Sequence, residues 1–184
     1  MTGVLVLAWL AAFASFTWGV LRFFEQPNGF TRSTALVATV GVASAVCHVL
    51  AIARANVVWE RQLLALGCFG IATALFWSAV RVCGARRLTA ISERDAPTFL
   101  VREGPYGYIR HPFYASYTIF WLGGAVGSVS LGAIASGAIM LGLYLRAIRA
   151  EESKFAASSL RSEYATYRDS TGMLFPRLLH HRAR

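Results

Sequence analysis

The sequence is short of acid, with nine Asp and Glu against eighteen Lys and Arg, and charged residues make up only 15% of its 184 positions. A chain of that length with so little charge lacks the polar surface of a water-soluble domain. Cysteine is scarce: Cys47, Cys68 and Cys83 each sit inside an apolar run. An odd number so placed argues against a disulfide framework and gives no metal-ligand spacing. Lysine is nearly absent, Lys154 being the single one. No basic residue precedes the first apolar stretch, and no small-residue cleavage site closes a short one, so the first stretch is expected to stay as a helix rather than leave as a signal. The basic residues flank apolar runs and form no separate basic domain, so the net charge of +9 points to membrane orientation rather than nucleic acid.

What is there is apolar: 56% of the residues, with a positive mean hydropathy. The fold class this implies is all-α, a polytopic membrane helix bundle of about five transmembrane helices. Gly3 to Leu21, Ser33 to Ala53 and Gln62 to Val82 each supply about twenty residues, enough at roughly 1.5 Å per residue to cross a hydrocarbon core of about 30 Å. Pro27-Asn28-Gly29 marks a surface turn after the first span, and Trp59 beside Glu60 and Arg61 marks an interface. His48 lies within the second span, where a neutral ring donating one hydrogen bond to a neighbouring helix outweighs a ligand role.

A long charged connection follows, from Arg81 to Glu103 through Arg86, Arg87, Glu93, Arg94, Asp95 and Pro97. Pro112 suits the first position of a helix, because its missing N–H costs nothing there. Apolar residues continue to Val126, a pass of roughly 22 Å and short of a full crossing. Gly127 to Ser130 reads as a turn, and Leu131 to about Arg149 as the return. Gly123 and Gly127, Gly132 and Ser136, and Ala138 and Gly142 are small residues four apart, expected to pack the two passes as a close hairpin. Glu151 to Arg168, with Phe155, Leu160, Tyr164 and Tyr167, reads as an amphipathic helix against the bundle. Met173-Leu174-Phe175-Pro176 is expected at the interface, with His180, His181, Arg182 and Arg184 in a loose tail. Arg-rich stretches before Pro112 and after Leu145 share one side, which the positive-inside rule makes cytoplasmic, leaving the N-terminus outside. The whole chain reads as one domain, residues 1–83 holding three spans and 84–176 a loop, a hairpin and a terminal helix.

The segment Gly104-Pro105-Tyr106-Gly107-Tyr108-Ile109-Arg110-His111-Pro112-Phe113-Tyr114 concentrates Arg, His and three Tyr where a basic loop enters an apolar run. Plain lipid packing has no use for that composition; gripping a polar ligand does. About thirty-five residues later come Arg146, Arg149 and Glu151-Glu152, then Tyr164 and Tyr167. These two motifs in this order, from about Thr98 to Pro176, resemble the isoprenylcysteine carboxyl methyltransferase and phospholipid methyltransferase family. Its members are membrane enzymes that move a methyl group from S-adenosyl-L-methionine to a lipid-borne acceptor.

The resemblance implies a cofactor pocket lined by Thr98, Phe99, Leu100, Val101, Tyr106, Arg110, His111, Pro112, Phe113 and Tyr114. It implies that Glu151 and Glu152 close that pocket and act with Arg146, which would face the acceptor. An amphipathic acceptor and membrane lipids are then the partners, with no obligatory protein partner. The chemistry of the residues agrees independently. A ligand carrying a sulfonium, an ammonium, a carboxylate and an adenine calls for carboxylates, a cationic or hydrogen-bonding group and aromatic faces together. Two rivals stand beside this reading. An NADPH-dependent membrane reductase would share an Arg-His-Pro-x-Tyr segment, though Glu151-Glu152 would repel its phosphates. A non-catalytic membrane scaffold would tolerate His111→Ala.

Overall fold

A computed structural model of the chain describes residues 2–25, 32–83, 88–89 and 97–177. Pro27-Asn28-Gly29, the charged residues Arg86, Arg87, Glu93, Arg94 and Asp95, and the tail with His180, His181, Arg182 and Arg184 lie outside the described residues. Six α-helices account for nearly all that is described: α1 (Thr2–Phe23), α2 (Arg32–Arg54), α3 (Trp59–Cys83), α4 (Pro112–Ser128), α5 (Leu131–Ala156) and α6 (Arg161–Ser170). Two short strands, β1 (Phe24–Glu25) and β2 (Leu88–Thr89), pair in parallel. Four helices, α1, α2, α3 and α5, are long and apolar enough to cross a membrane. The 17 residues of α4 rise about 25 Å, short of a full hydrocarbon core, as its apolar run anticipates.

Each long helix buries one stripe and leaves the rest apolar. In α1 the buried positions are Leu5, Trp9, Ala12, Phe16 and Gly19, the alternating spacing of three and four that lines one helical face. In α3, Ala65, Ala72 and Ala79 alternate with Phe69 and Phe76 along the buried side, so small residues admit a neighbour and large ones fill the space beside it. The outward faces carry Leu7, Leu21, Leu63 and Leu131, between 59% and 81% exposed. Surfaces of that kind are stable against lipid and not against water. The core is aromatic: Trp9, Phe13, Phe16, Phe76, Phe120 and Trp121 meet with ring centroids 4.9–6.5 Å apart. His48 is fully buried among them, its Nδ1 3.0 Å from the Ser44 carbonyl and 3.2 Å from Ser136 Oγ on α5.

Two expectations need correction. The glycines of α4 do not zip α4 to α5. A Cβ on Gly123 would come within 2.8 Å of Cys68 and Phe69 on α3, and one on Gly127 within 2.8 Å of Leu5 on α1. Those glycines admit α3 and α1, while α4 meets α5 through Trp121, whose indole N–H donates to the Tyr144 hydroxyl and whose Cβ faces Gly137. The return pass also does not stop near Arg149. It runs unbroken to Ala156, since Arg146 to Ala156 contains neither Gly nor Pro, and the chain breaks only at Ala157–Leu160 before α6. Glu151 and Glu152 therefore ride on the end of a membrane-spanning helix instead of a separate tail helix.

Candidate active site

The end of the bundle that gathers the C-terminus of α1 and the N-terminus of α4 is fixed by Phe24, whose ring lies 5.0 Å from that of Phe113. The approach there begins with Thr98 and Phe99, both exposed, and the half-buried Leu100 and Val101, outside any helix or strand. A single 3₁₀ turn, Gly104–Gly107, follows. Gly104 has φ +57°, and a Cβ there would meet Val82 at 2.6 Å, so glycine is required both by conformation and by space. Tyr106 is held from both ends: its hydroxyl accepts the Cys83 S–H at 3.3 Å, and its carbonyl accepts the Tyr167 hydroxyl at 2.7 Å. Burial pushes the Tyr106 hydroxyl well above its ordinary pKa, with the nearby Cys83 and Glu151 adding to the effect, so it stays neutral.

The segment after α6 returns to pair with this turn. Gly172 N–H donates to the Tyr108 carbonyl at 3.0 Å, Arg110 N–H to the Gly172 carbonyl at 2.8 Å, and His111 N–H to the Met173 carbonyl at 3.2 Å. Arg110 and His111 are thereby aimed inward at the start of α4, where Pro112 takes the first helical position. The Arg110 guanidinium donates from Nε to Glu152 Oε1 at 3.1 Å and from Nη1 to the carbonyls of Arg168 and Thr171. One side chain thus ties α4, α5 and α6 together.

His111 lies between the two glutamates. Its Nδ1 is 3.3 Å from Glu151 Oε2 and its Nε2 3.2 Å from Glu152 Oε1, with its side chain 7% exposed. Ionised carboxylates only accept, so the imidazolium, with a proton on each ring nitrogen, is the form that satisfies both contacts. Burial lowers the pKa of His111, but hydrogen bonds and charge attraction to Glu151 and Glu152 together outweigh it and raise the value above the ordinary 6.5. The sign for stability follows. The contribution of this clamp is complete below pH 6.5, where the unfolded chain is protonated too, and is lost as pH rises through the higher folded pKa. We predict that thermal stability falls on going from neutral to mildly alkaline pH, and that His111→Gln removes this part of the decline. An unchanged slope in that variant would count against the clamp.

The Tyr114 hydroxyl donates to Glu151 Oε1 at 2.8 Å. Tyr164, buried on α6, stacks on Phe155 of α5 with centroids 4.4 Å apart, and its hydroxyl lies beside Glu152. The structure therefore brings together Tyr106, Arg110, His111, Tyr114, Glu151 and Glu152, with Pro112 buried beside them. Phe113 points to another neighbourhood, its ring against Phe24 and Phe76. Arg146 is exposed. It sits about 140° around α5 from Glu151 and about 120° from Glu152, on the far side of the buried stripe Tyr144–Ile148.

Sequence reasoning missed two contributions. The carbonyls of Arg168 and Thr171 hold the guanidinium, and no side-chain pattern announces a backbone acceptor. Tyr117 and Tyr144, their rings 5.6 Å apart, continue the aromatic wall from Tyr114. Their spacing was the available signal, with Tyr117 three residues after Tyr114 and Tyr144 seven before Glu151.

Against known proteins, a family model described as a protein of unknown function (DUF1295) matches residues 26–171, a range that includes every residue of the cluster. No curated protein matches the chain.

Proposed function

The chain belongs to the DUF1295 family, and within it we propose an S-adenosyl-L-methionine-dependent methyltransferase that acts on a lipid-borne acceptor at the membrane surface. The observation that carries this reading is the meeting of Arg110-His111 with Glu151-Glu152 at 3.1–3.3 Å. Those are the two motifs by which the sequence resembles the isoprenylcysteine carboxyl and phospholipid methyltransferases.

The donor set fits the cofactor. Glu151 and Glu152 keep 25% and 18% side-chain exposure, and a carboxylate has more lone pairs than the bonds each makes here, so both can accept from an ammonium or from ribose hydroxyls. Tyr106, Tyr114 and Tyr164 set aromatic faces and hydroxyls beside them. When bound, S-adenosyl-L-methionine supplies an electrophilic methyl carbon on a sulfonium. The work left to the protein is alignment and exclusion of water. Arg110 and His111 hold the two carboxylates at fixed positions, α6 covers them, and Tyr114 orients Glu151. The apolar bundle below keeps the reaction poorly hydrated, which favours a transfer in which charge disperses. The end carrying this cluster is cytoplasmic and the N-terminus external, as the Arg distribution favours.

Calorimetry on the detergent-purified protein tests the reading with S-adenosylhomocysteine and, separately, NADPH. We expect S-adenosylhomocysteine to bind and His111→Ala to weaken it about 100-fold, the cost of losing a charged hydrogen-bonding group from a buried site. Binding of NADPH alone would replace the methyltransferase with a reductase. Binding of neither by folded protein would leave a scaffold.

A further inference from the structure

The chain that returns after α6 differs in character from the helix before it. The outward residues of α6 include Ser162, Glu163, Arg168 and Asp169, all exposed, a face suited to water. Immediately beyond, Met173 is 36% and Phe175 67% exposed, with Pro176 exposed behind them. Tyr108, whose carbonyl accepts the Gly172 N–H, is 64% exposed on the neighbouring stretch. A bridge between Ile109 and Gly172 joins the two stretches, so the three large side chains belong to one paired unit at the mouth of the cluster. An apolar, aromatic unit of this kind calls for a different medium from the one α6 meets.

Three helices fix the height of that unit along the spans. Gly104 packs on Val82 and the Tyr106 hydroxyl meets Cys83, both just past Arg81 in the last turn of α3. An Arg that ends a spanning helix marks the headgroup level. His111 N–H donates to the Met173 carbonyl immediately before α4 starts. That helix rises about 25 Å against about 30 Å of hydrocarbon, and beyond its far end Val129 and Leu131 are 57% and 81% exposed, so its start comes no further than the acyl boundary. Glu151, bonded to His111, lies about 30 Å along α5 from Leu131, which reaches the same level. The paired unit therefore sits between acyl chains and headgroups, the layer that Tyr and Phe side chains favour.

We infer that residues 172–176, together with Tyr108, form a membrane-surface anchor: Met173, Phe175 and Tyr108 enter the layer between acyl chains and headgroups, and this contact holds the backbone of Arg110 and His111 in place. The partner is the bilayer surface, and the inference stands whatever ligand the cluster takes. Two amide groups make the link. Arg110 N–H and His111 N–H donate to the Gly172 and Met173 carbonyls, so a return that lifts from the surface gives up the bonds that aim both side chains at Glu151 and Glu152. Arg110 Nη1 fastens the other end of the return, through the carbonyls of Arg168 and Thr171. The bilayer thus completes a hold that the protein makes from one side.

A nitroxide on Pro176→Cys leaves Met173 and Phe175 in place and reads depth, in the full-length protein in phosphatidylcholine bilayers. Cys47→Ala and Cys68→Ala remove the partly exposed thiols, and Cys83 is buried. We expect the label to collide freely with dissolved oxygen and poorly with a water-soluble nickel chelate, the reverse of a label on Ala165→Cys at the exposed side of α6. Equal access of the chelate at both positions overturns the anchor. So does a label at 176 shielded from both reagents, since protein and not lipid would then cover the return. Hydrogen exchange tests the coupling. Phe175→Ser should speed exchange of the Arg110 and His111 amides about ten-fold in these bilayers, as for loss of one apolar side chain from the boundary, with α3 unaffected. Phe175→Trp should keep the parent rate. Unchanged exchange in Phe175→Ser overturns the coupling, and acceleration that extends through α3 assigns Phe175 to the fold itself and overturns it too.

Discussion

Glu152→Ala is expected to destabilise the protein by about 3–5 kcal/mol, the cost of removing one partner from a buried charge pair and stranding the other. Two cations lose their acceptor at once. Arg110 Nε and His111 Nε2 both point at Glu152 Oε1, from 3.1 and 3.2 Å, and their side chains are only 8% and 7% exposed. His111 keeps Glu151, so the stranded charge is mainly the guanidinium, which retains its two carbonyl acceptors but no counter-charge. Thermal unfolding in detergent measures the effect. The contrast is Glu152→Gln, which preserves shape and one acceptor oxygen and should recover a substantial part of the loss. If the two variants unfold at the parent temperature, the pair carries no such energy.

Gly172→Ala should be nearly as damaging, by about 3 kcal/mol, at the upper end of what overpacking costs. A Cβ at this position would collide with the Phe175 carbonyl oxygen and come within 3.1 Å of the Arg177 nitrogen. Both obstacles are backbone, so no rotamer change relieves them. The chain must give up the tight return after Thr171 or the hydrogen bonds from Arg110 and His111 to the Gly172 and Met173 carbonyls. Limited proteolysis reads the outcome: cleavage after α6 should accelerate at temperatures where the spanning helices stay intact. Cleavage at the parent rate would mean that the return is not what holds the tail.

The spanning helices were legible because lipid imposes a simple rule, about twenty apolar residues between charged flanks. The start of α4 was legible because proline has few comfortable places in a helix, and Pro112 occupies one of them. The pairing of Arg110-His111 with Glu151-Glu152 came from motif order, through resemblance. Its geometry did not, since forty residues separate the partners and only the hairpin brings them together. The end of α5 was misjudged because a change from apolar to charged residues at Arg149 looks like a boundary. A helix ends where capping or breaking residues end it, and Arg146 to Ala156 has none, so it continues into water. The resemblance set Arg146 to face an acceptor, and five residues of helical rotation put it on a different face of α5 from Glu151. The α4 glycines show a limit for packing, because a small-residue spacing shows that something comes close without naming the neighbour.

The unbroken run of α5 from Leu131 to Ala156 has a consequence for the setting in which the protein works. Its 26 residues span about 39 Å, against about 30 Å of hydrocarbon, so roughly 9 Å of rod projects beyond the acyl chains. Glu151 and Glu152 sit on that projecting end, and Arg110 and His111 are bolted to it. The height of the carboxylates above the hydrocarbon is therefore set by lipid chain length. A thicker bilayer draws them toward the acyl region and a thinner one lifts them into the headgroups, offset in part by helix tilt and local bilayer deformation. For the proposed methyltransferase, the depth at which an amphiphilic acceptor meets this cluster is then a property of protein and bilayer jointly.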